Sequence, residues 1–215
     1  IRVMTPQFSK EIQMILMMKR YSILVLFLTI FILGSTAETR VTLDLQKQSK
    51  LTIHAATNLL KFTLEQEGAE IMSKPIAVIA TEENNKLFVN QNKLVLKVRN
   101  FESSNPIAQA EFYKMMQTEK YPNLRIQLNH FEKTAYNDGK SSGNASVSIT
   151  ITGVTRQYTV PVNAQLTGNT MTLEGRKKMT IRDFGIEPPV AMLGLVRVSE
   201  WIEIDFNLIC KIKNT

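Results

Sequence analysis

Residues 196–212 read VRVSEWIEIDFNLICKI, and their alternation decides the fold. Val196, Val198, Ile202, Ile204, Phe206, Leu208, Cys210 and Ile212 share one parity, broken only by Glu200. Arg197, Ser199, Glu203, Asp205, Asn207 and Lys211 occupy the other. Successive side chains of a strand point to opposite faces, so this pattern describes one long strand with a single buried face. Such a strand has to curve around a core. The same alternation recurs upstream, in Leu51-Ile53-Ala55, Leu60-Phe62-Leu64, Leu94-Leu96-Val98, Leu124-Ile126-Leu128, Val147-Ile149-Ile151 and Tyr158-Val160-Val162. Turn-forming residues separate the runs at 82–85, 137–143, 153–156 and 168–169. Alternating strands without helical crossovers form antiparallel sheets, and closure removes the exposed edges. The expected fold is all-β, an antiparallel barrel of about eight strands.

One segment breaks the rhythm. Asn105 is placed to cap a helix, Pro106 suits its first turn, and Ala108, Phe112, Met115 and Met116 recur at helical spacing. Tyr121-Pro122 stops it, because the residue before proline avoids the α region. This predicts one short helix, about 106–118, capping the barrel. Its apolar face serves either as ordinary core or as the lid of an internal cavity, where pliant methionines tolerate a variable guest.

Composition excludes several classes of function. A chain of 215 residues with 44% hydrophobic residues can build a real core. A single Cys and two His leave no ligand set for a metal and no intramolecular disulfide. Met17-Met18-Lys19-Arg20, the apolar run Tyr21–Leu33 and the small residues Ser35 and Ala37 have the layout of a secretory signal peptide over 17–37. The first sixteen residues fit no targeting pattern and are expected to be untranslated or unstructured. A single domain, 38–215, is then left after cleavage near Ala37. It carries 22 basic and 18 acidic side chains, +4, scattered and not gathered in a stripe, which argues against nucleic-acid binding.

Four motifs now carry a resemblance. Ser49-Lys50-Leu51-Thr52-Ile53-His54 with Thr57-Asn58 and Lys61-Phe62, then Lys120-Tyr121-Pro122-Asn123-Leu124-Arg125-Ile126, Gly153-Val154-Thr155-Arg156, and Asp183-Phe184-Gly185-Ile186-Glu187-Pro188-Pro189 stand in order along the chain. Together they resemble YceI-like proteins, from about Val41 to Lys211, with Ala55 or Ala56 where that family commonly has glycine. The resemblance implies a lipocalin-like barrel, secreted or periplasmic, that holds a polyisoprenoid or other long-chain lipid for transport or storage, with no enzymatic activity. It implies no cofactor, and it leaves homodimer formation open.

By parity, the apolar lining of such a barrel is expected to include Phe62, Leu94, Leu96, Ile126, Leu128, Ile149, Ile151, Met179, Ile181, Ile204 and Phe206. Phe112, Met115 and Met116 join from the helix, and Phe184, Ile186 and Met192 from an apolar loop forming the other wall of the mouth. The alternative is a secreted interaction module whose barrel is packed solid, against which the small residues Ala55, Ala80 and Ala164 argue. Arg156, Arg176, Lys177, Lys178 and Arg182 are candidate partners for an acidic head group. Catalytic signals fail on context. Asp183-Phe184-Gly185 lacks the other kinase motifs, His54 and His130 have no neighbouring nucleophile, and Cys210 is on the inward parity, where it reads as a small buried hydrophobe.

Overall fold

The structure, a computed structural model, describes residues 38–72, 74–90 and 92–214; the side chains at 191, 192 and 214 are outside the description, as is the whole 1–37 segment with its leader motif. Among the described residues no helix is long and apolar enough to cross a membrane.

Eight antiparallel strands close a ring: β1 (Glu38–Leu45), β4 (Ile76–Glu83), β5 (Lys86–Asn90), β7 (Asn123–Asn137), β8 (Lys140–Ile151), β9 (Val154–Thr167), β10 (Thr170–Thr180) and β13 (Trp201–Asn214). The ring is joined where β13 meets β1, from Leu45↔Cys210 to Val41↔Asn214. Hairpin tips form at Asn84-Asn85, Asp138-Gly139 and Thr152-Gly153, all with positive φ, the geometry that matches the twist of flanking strands; the last is shifted from the expected 153–156, since Val154–Arg156 already belong to β9.

Two long strands split one edge between partners, and this shapes the interior. β13 pairs with β10 along one edge, and its other edge is shared by β1 and by β2 (Lys50–Ala56), which continues into β3 (Lys61–Glu67). β7 likewise divides an edge between β5 and β6 (Leu94–Lys97). A Glu65–Glu102 bridge, with reciprocal N–H···O bonds of 2.8 and 2.9 Å, ties β3 to the chain after β6. The end framed by β2, β3 and β6 is covered by a helix, Pro106–Met115.

That helix is shorter than the expected 106–118. The Asn105 carboxamide oxygen accepts from the Ile107 and Ala108 amides at 3.0 and 3.1 Å, and Gln117 turns left-handed at φ 47°, ending it. In chain order it is α2, because a four-residue turn, α1 (Gly68–Ile71), was not foreseen. The 196–212 stretch is also not one strand. Val196–Arg197 is β12, paired with β11 (Val190–Ala191), and the chain breaks at Ser199-Glu200 before β13 begins. The parity interruption at Glu200 marks that break.

Bulges in β7 at Leu128/His130 and Lys133/Ala135 shift the register. After the first, Phe131 faces inward opposite Ala145, and His130 pairs with Ser146 and turns outward, off the parity of Leu128. His54 is on the outer face as read, 3.1 Å from Asp205.

Cys210 is buried on the inner face, and burial together with the nearby Asp44 charge pushes its thiol up to about 11. The unfolded chain ionises this thiol near its ordinary value while the folded one stays protonated. The stability it contributes is therefore complete below pH ~8.5 and is lost between about pH 9 and 11, on the order of 2–3 kcal/mol. Denaturant melts at stepped alkaline pH should show this fall, and Cys210→Val should flatten it.

Candidate functional site: an apolar cavity under the helix

The barrel interior is divided. Toward the strand-only end, Ala145, Val160 and Val162 pack with Leu128, Phe131, Leu173 and Phe206 into a filled cluster. Two glycines make this possible. A Cβ at Gly143 would lie 2.6 Å from the Phe131 ring, and one at Gly175 would lie 2.4 Å from the Phe206 ring. The rings lie over these positions and occupy the space that side chains would take.

Toward the helix, the interior stays open. A cavity of about 340 Å³ is bounded by β2 and β3 (Leu51, Ile53, Ala55, Phe62, Leu64) and by α2 with its C-cap (Ala108, Phe112, Met115, then Met116). β7 and β8 contribute Leu124, Ile126, Ile149 and Ile151, and the far wall is Ile181, Phe184, Ile186, Pro189, Val196, Val198, Ile202 and Ile204. This volume falls in the range of small-molecule sites, roughly 300–1,000 Å³.

Polar groups on the lining are few, and most serve the backbone. Asn105 caps α2, Thr57 accepts from the Leu59 and Leu60 amides, and Ser199 accepts from the Trp201 amide. Glu111 is the one charged residue of the wall among the described residues. The far wall owes its position to Asp183, which accepts a 2.8 Å hydrogen bond from the Tyr158 hydroxyl, while Phe184 turns into the cavity 6.1 Å from the Tyr158 ring. Burial, then Asp183, raise the Tyr158 pKa, so this phenol stays protonated. Gly185 at φ 72° ends the turn, which gives Asp183-Phe184-Gly185 a structural role.

The structure brings eleven of the expected lining residues together around this cavity: Phe62, Phe112, Met115, Met116, Ile126, Ile149, Ile151, Ile181, Phe184, Ile186 and Ile204. Five others lie elsewhere. Leu96 and Met179 are buried in the same core as the lining without bordering the cavity, Leu94 packs against that core, and Leu128 and Phe206 belong to the filled cluster. Met192's side chain is outside the description. Parity identifies the inward face of a strand but not which part of the interior is filled, hence these differences. Of the small residues, Ala55 borders the cavity, whereas Ala80 and Ala164 do not. Leu51, Ile53 and Leu64 were missed as lining although their alternation was visible; the signal that could have found them is the pairing of β2 with β3, opposite the helix.

A larger groove, about 900 Å³, lies on the outer face of β8, β9, β10, β13 and β2. Its charges neutralise one another: Arg176 holds Asp205 at 2.6 and 2.7 Å, and Lys50 meets Glu65 at 2.6 Å. Among the candidate head-group cations, Arg176 is thus engaged, Arg182 is bound to Glu187 and Glu200, and Lys178 stacks 5.2 Å over Trp201. Lys177 shares the inward parity and lies 6.0 Å over the Tyr158 ring.

Gln66, on β3 beyond Leu64, is 1% exposed, and neither its amide oxygen nor its nitrogen has a hydrogen-bond partner among the described residues. An orphaned buried polar group costs ~1–3 kcal/mol. Gln66→Met, similar in shape, should therefore raise the melting temperature by about 2–12 °C. A fall would show that the amide has a partner in solution.

Residues 77–210 match the family model for the YceI-like domain. Among solved structures, a polyisoprenoid binding domain from Saccharophagus degradans, implicated in plant cell wall breakdown, superposes with a TM-score of 0.56 at 12% identity, covering 80% of this chain and 98% of that one. BcnA from Burkholderia cenocepacia gives 0.50 at 14% identity, covering 77% and 99%. At these identities the likeness is one of fold. Among curated proteins, none matches.

Proposed function

Because the chain belongs to the YceI-like family, we propose that it binds a long apolar chain, a polyisoprenoid or similar lipid, in the cavity under α2, and that it acts as a carrier and not as a catalyst. The observation that carries this reading is the lining itself. A cavity of about 340 Å³ walled almost wholly by hydrocarbon selects for shape and apolarity, and its lone carboxylate, Glu111, has no His, Cys or second acid beside it among the described lining residues. Each methylene buried contributes ~0.8 kcal/mol, so a chain threading this space is retained far more strongly than water retains it. The polyisoprenoid binding of the Saccharophagus degradans domain supports the choice of guest. Export to the periplasm or beyond fits the leader pattern at 17–37 and a cargo that belongs to membranes.

Thermal unfolding with added polyprenol tests the reading. Ligand at about 100 times its Kd adds ~2.7 kcal/mol to the folded state, which should raise the melting temperature by about 5–10 °C. No shift at the solubility limit of a short polyprenol, in a protein shown to be empty, would contradict it.

A further inference from the structure

The cavity opens between two loop tips that are locked together. The Asn58 carboxamide donates to the Leu195 carbonyl at 2.9 Å and accepts from the Arg197 amide at 2.9 Å, and the Asn58 amide donates to the Arg197 carbonyl at 3.1 Å. Thr57 also bridges to Val198. This double anchor holds up a set of bare apolar side chains: Leu59 is 69% exposed, Leu195 73%, Val190 61% and Leu193 107%. Ile107, at the start of α2 across the mouth, is 77% exposed. Leu59, Leu60 and Ile107 also line the cavity, so hydrocarbon runs from the 57–60 tip into the lumen, and Pro189 and Val196, which flank the other tip, line it too.

Leu193 is the most telling residue. Its backbone is left-handed, φ 54° and ψ 34°, a conformation that favours glycine or asparagine. A leucine held there with its side chain wholly in water gains nothing from packing within this chain. The tips themselves, segments 57–61 and 188–199, contain Lys61 and Arg197 and no carboxylate, and the carboxylates that flank the second segment, Glu187 and Glu200, are both paired with Arg182. Glu111, the acid of the cavity wall, lies one helical turn further along α2 than Ile107.

We propose that these tips dock the mouth onto an anionic phospholipid bilayer, inserting Leu59, Leu193 and Leu195 at the headgroup boundary with Lys61 and Arg197 among the lipid phosphates. Protruding apolar tips flanked by cations suit a soft anionic surface, and continuity with the lumen lets an apolar guest pass from bilayer to cavity without crossing water. The inference rests on the lipid-binding reading for its purpose, but its test is separate.

Flotation of the chain from Glu38 onward with vesicles of phosphatidylcholine containing roughly one third phosphatidylglycerol reads docking directly. The wild type should float with them, should float less at high salt, and should float poorly with phosphatidylcholine alone. Leu193→Gly relaxes the left-handed backbone, so it should keep or raise the melting temperature. Combined with Leu195→Ser, it should cut vesicle-bound protein by at least about tenfold. Polyprenol uptake from detergent by the same variant should be unchanged. A wild type that stays unbound, or a tip variant that floats as well as the wild type, overturns the proposal and leaves the tips for a protein partner or a second copy. Docking without any polyprenol uptake would uphold this inference while defeating the lipid-carrier reading.

Discussion

The double variant Ala55→Leu/Ala108→Leu is expected to lose its guest while folding more stably when empty. Both residues border the cavity, one from β2 and one from α2, and each gains three carbons aimed at space now unfilled. Displacing four to six guest carbons at ~0.8 kcal/mol each costs ~3–5 kcal/mol, an affinity loss on the order of 10²–10³-fold. The empty protein should meanwhile gain stability, because residual cavity volume costs ~24 cal/mol per Å³. Opposite signs in binding and stability distinguish cavity filling from damage to the fold. Titration of wild type and variant with a fluorescent polyprenol analogue, beside their thermal melts, measures both. Undiminished binding would place the guest elsewhere, the outer groove first.

Phe101→Ala carries the largest expected effect on stability. Phe101 is fully buried and meets Phe112 edge-on with ring centroids 5.8 Å apart. Its carbonyl accepts a 2.9 Å hydrogen bond from the Tyr113 hydroxyl, so α2 is anchored to the segment after β6 at this residue. Truncating a buried phenylalanine costs ~3–5 kcal/mol, a large share of the ~5–15 kcal/mol that holds a domain. The melting temperature should fall by about 10 °C or more. Ile107→Ala, on the same helix but 77% exposed, should change it by less than about 2 °C. Equal effects would mean that α2 does not rest on Phe101 as the structure shows.

The barrel was legible because burial on one side of a strand leaves a period of two in the sequence, and the hairpin tips carry their own residues. Asn84-Asn85 and Asp138-Gly139 turn where their chemistry says, whereas the third tip falls at Thr152-Gly153 and puts a β-branched threonine at positive φ. The helix was legible from Asn105-Pro106 and the Ala108, Phe112, Met115 and Met116 face. Its final residues were not, since Gln117 takes a left-handed backbone that glutamine does not advertise. α1 and the short β11 and β12 are too brief to leave a pattern. The bulge after Leu128 inserts one residue and reverses the parity of His130, which only the partner strand reveals.

The candidate site was legible by face and not by depth. Ile126 and Leu128 alternate identically, yet one borders the cavity and the other is packed under Phe131. That difference comes from Gly143 and Gly175, whose missing side chains are filled by rings from neighbouring strands. Both readings of the barrel therefore describe part of it: solid at the strand-only end, open beneath the helix. The sequence held the glycines and the phenylalanines, but their pairing is a consequence of sheet register.

Native mass spectrometry of the protein, expressed with its leader in a bacterial host and purified without detergent, tests the central claim most directly. The expected spectrum shows one long-chain lipid bound per protein molecule, identifiable after organic extraction, and its loss in Ala55→Leu/Ala108→Leu. An empty wild type that also refuses added polyprenol would contradict the claim.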